Sequence, residues 1–232
     1  MARDALARLA DRVAGEAVQW VWQRSVRVGT LKATQRRARR FARFGPGTEI
    51  VFPPVAVVGE GRIALGADTL VGPHASLSAG MPDEAGRGGE PVLVIGDRCV
   101  LGKGIGVVAH KHVAIGDDTW TGHYVYITDQ NHGYENLELP IGTQMWKDAP
   151  VRIGPECWLG HGAVVLPGTT IGRHVVVAAG AVVAGLQVPD YSVVAGVPGR
   201  VVRRHIATRG WVATHPDGTP LPGGAGSAPF RG

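Results

Sequence analysis

The sequence predicts an all-β fold of many short strands, preceded by a helical arm. An aliphatic residue recurs every six positions through most of the chain. Valine-rich runs such as VVVAAGAVV are interleaved with glycine, which occurs 35 times in 232 residues. Helical spacing of apolar residues is confined to the N-terminal region. β-Branched residues and frequent turns favour strands over a helical bundle. A hydrophobic content of 44% is enough for a sizeable core in one main domain.

Residues 1–45 form the arm. Leu6, Leu9, Val13, Ala17, Trp20 and Val21 recur at helical spacing and lead into KATQRRARRFAR, so a basic amphipathic helical arm is expected. Eleven Arg or Lys stand here against three Asp or Glu, net +8, while the remaining 187 residues carry net −3. The first residues, MARDALARLADRVAG, hold Asp4 and Asp11 and no uninterrupted apolar block, unlike a secretory signal. The most apolar run, 175–183, is too short and too β-branched to read as a transmembrane helix. The expected location is cytoplasmic, with two readings open for the arm. Either residues 1–45 make peripheral contact with an anionic membrane at its inner face, or the helix caps the open end of the fold. No nucleic-acid partner is expected.

Residues 46–205 carry the repeat. Hexads open at 65, 71 and 77; at 95, 101 and 107; at 115, 121 and 127; at 153, 159 and 165; and at 171, 177 and 183. Fourteen of the fifteen opening residues are Leu, Val or Ile, with Thr121 the exception, and nine are followed by Gly. A period of six fits short strands joined by tight turns, with the opening residue inward and a small residue at the fifth place filling the corner. Both cysteines, Cys99 and Cys157, fall on such fifth places and are expected as corner filler. No CxxC spacing or His–Cys cluster signals a zinc site or a disulfide framework.

Stretches such as IGPECWLGHGAVVLPGTTIGRHVVVAAGAVV, followed by VVAGVPGRVVRR, resemble the hexapeptide-repeat acyltransferases, in particular the branch that acetylates sugars and polysaccharides. The resemblance covers about residues 50–205. It implies a left-handed parallel β-helix of triangular coils, with three hexads to a coil. The handedness comes from the resemblance, since parallel β-crossovers in general run right-handed. Each irregularity follows the third hexad of a triplet: DEAGRGGE after the hexad at 77, a two-residue slip after 107, and a long excursion from Gly133 to Arg152 after 127. Stacked coils put these departures along one edge, where loops on a rigid scaffold carry sites. Residues 206–232, rich in Pro and Gly, are expected to be disordered.

His132 closes the hexad ITDQNH on that edge, so its imidazole is expected to point away from the core. In the resembling enzymes a histidine at this step is the general base that deprotonates an acceptor hydroxyl for attack on an acyl-coenzyme A thioester. Imidazole suits the task because its ordinary pKa lies near neutrality. Asp129 either orients His132 or caps the excursion. Asn131 is grouped with these catalytic candidates, although asparagine at a corner is also favoured for its tolerance of unusual backbone angles. His112 holds the register position of His132 one coil below and, with Tyr134 and Trp146 of the excursion, is an expected acceptor contact. The resemblance further implies that Trp158 and Ala179 lie along the pantetheine arm of acetyl-CoA, and that Arg200 and Arg203 face its phosphates.

The same resemblance implies a homotrimer, coenzyme A in the groove between adjacent prisms, a sugar or glycolipid acceptor, and no metal. The oxyanion donor would be a backbone N–H. Two departures from the family stand out: Ala184 and Gly185 replace a common Thr-Lys near the coenzyme, and GKGIGVVAHKH stands where the galactoside-modifying branch has an acceptor-holding asparagine. Two other readings of the repeat are a non-catalytic β-helix scaffold and a metal-dependent hydratase of the carbonic anhydrase type. The second would call for H-x4-H, and no two histidines here are five positions apart.

Overall fold

The computed structural model describes residues 2–81, 89–144, 147–215 and 217–222, with the side chains of residues 2–7, 9 and 10 outside that description. From residue 43 the chain winds through successive coils that contribute one short strand to each of three sheets in turn. Among the described residues the first face has ten strands, including Val100–Leu101, Trp120–Thr121, Trp158–Leu159 and Val176–Val177. The second has six, including Gly106–Ala109, Tyr126–Thr128 and Val164–Leu166. The third has seven, including Val113–Ile115, Val151–Ile153 and Thr170–Ile171. Neighbouring coils pair in parallel and in constant register, as in Val107 opposite Ile127 and Ile127 opposite Val165. The result is a triangular prism, a left-handed parallel β-helix.

The hexad accounts for the core. Every opening residue is buried, from Leu65 at 0% exposed to Thr121 at 8%, and the fifth-place residues Thr69, Ala75, Cys99, Ala163 and Ala181 are at or near 0%. Each buried aliphatic side chain stabilises the fold by about 1.5–3 kcal/mol relative to exposure. The glycine after the opening residue reflects how closely the coils approach. A Cβ on Gly102 would lie 2.2 Å from the carbonyl oxygen of Gly122, and one on Gly66 would lie 2.3 Å from that of Gly96. At the edge between the third and first faces the turn instead takes a left-handed residue with a side chain, as in Asp68, Arg98, Asp118, Glu156, His174 and Tyr191. Backbone bonds between coils hold these turns: Arg98 N–H donates to the Ala67 carbonyl and Asp118 N–H to that of Asp97. Arg98 adds a two-pronged bond to the Asp118 carboxylate, both contacts 2.7 Å, which holds that carboxyl below its ordinary range.

Both ends depart from expectation. The arm is a helix over Ala2–Gly29, but it does not cover the prism: Val13, Val18, Trp20, Val21 and Val28 are all more than half exposed. Leu6 and Leu9 of the expected stripe lie outside the described side chains. The open end is closed instead by the segment after the helix, a strand Leu31–Lys32 antiparallel to Glu49–Ile50 and a 3₁₀ turn Arg36–Arg40, which bury Leu31, Ala38 and Phe41. At the other end the expected disorder is corrected for residues 206–222. Arg200–Ile206 folds back antiparallel on Ser192–Ala195, and Gly210–Ala213 pairs with it in turn, burying Val201 and Val212. Val201 and Val212 are buried in this hairpin and Ile206 and Trp211 half-buried, an apolar content that the Pro/Gly-rich composition obscured. Residues 223–232, and most of DEAGRGGE, lie outside the described residues.

The cysteines sit where the lattice predicts. Cys157 Sγ lies 3.1 Å from the Gly172 carbonyl, and burial pushes its thiol up to about 11; burial likewise raises Cys99. Since the thiolate is the nucleophile, neither thiol should react with a disulfide reagent at pH 8 in the folded protein, and both should react after denaturation. Cys157→Ala should lower stability by only about 1 kcal/mol in denaturant titration, because the vacated volume is small.

Candidate active site

The edge between the second and third faces carries the departures from the lattice, and Asp129 organises it. Its side chain is fully buried. Its carboxylate accepts the backbone N–H groups of His110 (2.8 Å), Lys111 (2.8 Å) and His112 (2.6 Å), the three residues of the slip one coil below. Of the two roles open to Asp129, the geometry supports capping, directed at the slip rather than at the excursion. A carboxylate engaged by three N–H groups has little acceptor capacity left for an imidazole.

The excursion leaves and returns as a short antiparallel ribbon. Ala149 N–H donates to the Asp129 carbonyl (2.8 Å) and Lys147 N–H to that of Asn131 (2.7 Å). Between these, Gln144 bonds the carbonyls of Asn136 and Leu139, and Lys147 forms an ion pair with Glu135 that holds the Glu135 carboxyl below its ordinary range. His132 lies at the base of the ribbon, half-buried, with Nδ1 turned into the protein. Asn131 is exposed, and its side-chain oxygen accepts the His132 N–H at 3.0 Å, a local turn bond. Tyr134 is 62% exposed, with the Lys147 ammonium 5.6 Å from its ring centroid. Trp146 lies outside the described residues.

His112 does not stack beneath His132. The slip moves it to the start of the third face, where its carbonyl accepts Val151 N–H, so the coil above it resumes at residue 150. The residue that the slip brings into the edge is His110. Its side chain is 8% exposed and its Nδ1 lies 3.5 Å from Oδ2 of Asp148, itself 7% exposed. Sequence reading missed both residues. The signal available for His110 was its place directly after a regular hexad strand, where the two extra residues begin.

The coenzyme candidates lie elsewhere. Trp158 projects outward from the first face, 57% exposed, beside Trp120 at the same register and 59% exposed. Ala179 is exposed at the edge between the first and second faces, above His161. The first face does not border the edge that carries His132, so one prism does not bring His132 and Trp158 together. Arg200 lines a cavity of about 290 Å3 at the C-terminal end with Arg204, Gln187 and Asp217. Arg203 is not among the residues that line this cavity, whereas Arg204 is. Neither Arg200 nor Arg204 has a carboxylate partner among the described residues, and Arg204 Nε is buried without an acceptor. That pair fits an anionic phosphate. Among the described residues no group of three His, Cys, Asp or Glu is placed to hold a metal ion.

Residues 150–185 match the family model described as bacterial transferase hexapeptide (six repeats). Over 117 residues the chain is 41% identical to the probable acetyltransferase Rv3034c of Mycobacterium tuberculosis, which covers 50% of this chain and 39% of the relative. Over 130 residues it is 35% identical to the putative lipopolysaccharide biosynthesis O-acetyl transferase WbbJ of Escherichia coli, 53% of this chain and 64% of the relative. The chain thus spans less than two thirds of the length of either. Among solved structures, the N-acyltransferase AntD of Bacillus cereus, in complex with dTDP and 3-hydroxybutyryl-CoA, shares the fold at a TM-score of 0.57 and 14% identity, over 74% of this chain and 89% of that one. The molecule is a left-handed parallel β-helix protein with one elaborated edge. Its repeat and prism are those of the bacterial transferase hexapeptide model over residues 150–185, and over about half of its length the chain is similar to these acetyltransferases.

The capping role of Asp129 has a direct consequence. Asp129→Ala strands three backbone donors at a buried corner and should lower unfolding free energy by at least about 3 kcal/mol in denaturant titration, whereas Asn131→Ala, at an exposed turn, should change it by less than about 1 kcal/mol.

Proposed function

We propose that the protein is an acetyl-CoA-dependent O-acetyltransferase acting on a sugar hydroxyl of a polysaccharide, a glycolipid or a precursor of either. The observation that carries this reading is His132, half-buried at the foot of an excursion braced on the preceding coil, with Nδ1 inward. Nε2 takes the proton of the acceptor hydroxyl as its oxygen attacks the thioester carbonyl. A backbone N–H of the edge stabilises the resulting oxyanion. Collapse expels the coenzyme thiolate, which takes the proton back from the imidazolium. Arg200 and Arg204 would hold the coenzyme phosphates. The sugar hydroxyl as acceptor agrees with the name of the Escherichia coli relative.

A homotrimer completes the site in this reading, and the chemistry of the three faces supports it. The first face presents a column of Leu70, Val100, Trp120, Trp158 and Val176, and the second presents Tyr126, Val164 and Val182. The third presents Arg43, Ala64, Val94, Ala114, Arg152, Thr170 and Gln187, a mixed column with no aromatic residue. Two faces with large apolar or aromatic columns at an angle, with a third of small, polar and basic residues and one valine, suit a ring in which the first face of one copy covers the second face of the next. His132 borders the second face, so Trp158 of the next copy would reach it across the groove.

The arm, in the same proposal, contacts an anionic membrane. Among the described side chains the apolar side of the helix is exposed, with Trp20 62% and Trp22 50% exposed, and the Arg24 guanidinium lies 5.7 Å from the Trp20 ring centroid. Arg36, Arg37, Arg39 and Arg40 converge around a hollow of about 570 Å3. Amphipathic surface beside concentrated positive charge suits a headgroup layer, where each basic residue contributes about 1 kcal/mol. No described helix is long and apolar enough to cross a membrane.

His132→Ala should keep the wild-type mass by light scattering, that of a trimer, while thiol release from acetyl-CoA in the presence of a sugar panel falls at least about a hundredfold; near-normal turnover would remove the base assignment. For the arm, cosedimentation should be stronger with anionic than with neutral liposomes and should be lost on deleting residues 1–29, which leaves the capping segment in place. Equal binding to both liposomes would refute the membrane contact.

A further inference from the structure

A dense run of positive charge stands just after the helix of the arm. Residues 30–45 hold six Arg or Lys and no Asp or Glu. Four of them, Arg36, Arg37, Arg39 and Arg40, belong to one 3₁₀ turn, in which side chains three positions apart eclipse each other. Ala38 is the residue of that turn packed into the core, and the arginines on either side of it are exposed around the hollow of about 570 Å3. Arg37 lies 4.0 Å from the Glu60 carboxylate, and Glu49 is engaged by Lys32 at 2.8 Å. Among the described residues Arg36, Arg39 and Arg40 have no carboxylate partner. Guanidinium groups crowded in this way repel one another until an anion is shared between them, and their planar forks suit phosphate oxygens.

This turn lies at the foot of the edge that carries His132. The chain enters the third face at Arg43 from that edge, and Ala42 N–H donates to the Glu60 carbonyl of the coil above at 3.1 Å. The edge continues upward through Arg62, whose carbonyl accepts Val92 N–H, and Val92, whose carbonyl accepts Val113 N–H. On the third face Arg43, Ala64, Val94, Ala114 and Arg152 form one column in register. The excursion that holds His132 rejoins the prism at Val151–Ile153, four coil steps above Arg43. At about 4.8 Å per step that is a height of roughly 19 Å. An acceptor whose hydroxyl meets His132 while an anionic group meets the arginines must span this height along the edge. A single hexose on a diphosphate is too short, and several sugars in a row are needed.

We infer that the arginine hollow binds the diphosphate of a lipid-linked oligosaccharide, and that the sugar acetylated at His132 is separated from that diphosphate by further sugars. Such an acceptor has its lipid in the membrane, its diphosphate at the level of the headgroups and its sugars in water. The exposed helix Ala2–Gly29 lies in the same headgroup layer and runs directly into the arginines, so the foot of the edge stands at the height of the diphosphate. The number of coils between the arginines and the excursion then fixes which sugar reaches His132. The inference rests on the proposed acetyl transfer to a sugar hydroxyl and names the class of acceptor for it.

The test uses the whole chain, acetyl-CoA and a panel of hexose tetrasaccharides in two soluble forms, short-alkyl diphosphates and methyl glycosides, with no membrane present. The diphosphates should be turned over with a kcat/KM at least about tenfold higher. Combined Arg36→Gln, Arg39→Gln and Arg40→Gln, which leaves Ala38 and Phe41 of the end cap in place, should abolish that preference by raising KM. Its kcat, and its turnover of the methyl glycosides, should stay within about twofold of wild type. Fragment masses should place the acetyl group on a sugar other than the one bonded to the diphosphate. Equal use of both forms by the wild type, or acetylation of the diphosphate-bonded sugar, would overturn the inference. A triple variant that loses only its binding to anionic liposomes and keeps the preference would also overturn it, leaving the arginines as a headgroup site. If no acceptor releases thiol, the acetyl-transfer reading fails instead, and calorimetry still decides the arginine site. The affinity of the diphosphate tetrasaccharides should fall at least about tenfold in the triple variant, and equal affinity would refute the site.

Discussion

Everything in this molecule depends on the close stacking of one coil on the next. Parallel strands sit about 4.8 Å apart, and at the corners the backbones come closer than a Cβ allows, as at Gly102 beneath Gly122. The spacing tolerates no insertion inside a coil, because an extra residue would turn an opening aliphatic outward and break the bonds to both neighbours. Extra residues are accommodated only where the chain can leave the prism and return at the same height. That requirement gathers the slip at 110–112 and the excursion at 129–150 onto one edge.

Leaving the lattice creates unpaired backbone groups, and the chain meets them with side chains from the adjacent coil. Asp129 serves the slip in this way, taking three N–H groups that no strand can take. The excursion is tied down by its own ribbon and by the contacts of His110 and Lys111 to Asp148. The two irregular segments thereby brace each other across a coil boundary. A histidine at the foot of such a structure is held by the prism, and positioning of this kind is what general-base chemistry requires.

The outward surfaces divide the remaining tasks. Aromatic and aliphatic columns mark two faces, a mixed column without aromatic residues marks the third, and the arm carries basic charge beyond the prism. The described side chains of the helix are exposed apart from Val26 in its last turn, while the residues immediately after it close the end of the barrel through Leu31, Ala38 and Phe41. The end cap and the exposed helix are therefore separate parts of the first 45 residues, a division that charge and helical spacing do not reveal.

The sequence by itself determined the prism, because the hexad is a local rule: each opening aliphatic, each corner residue such as Cys99 or Ala163, and each glycine of close approach can be read from its own neighbours. It also located the edge and His132 on it, since a break in a strict period is visible wherever it falls. Only the tertiary structure decided what the break does. Asp129 and Asp148 are nineteen positions apart, His110 and Asp148 thirty-eight, and nothing local tells which carboxylate caps a backbone and which faces an imidazole. His112 shared a register number with His132 until the two-residue slip moved it to the next face. Arg203 and Arg204 differ by one position in a strand that folds back on the last coil, and alternation there turned the second, not the first, toward the cavity with Arg200. These assignments depend on where separate coils meet, and the hexad pattern, identical in every coil, carries no information about that.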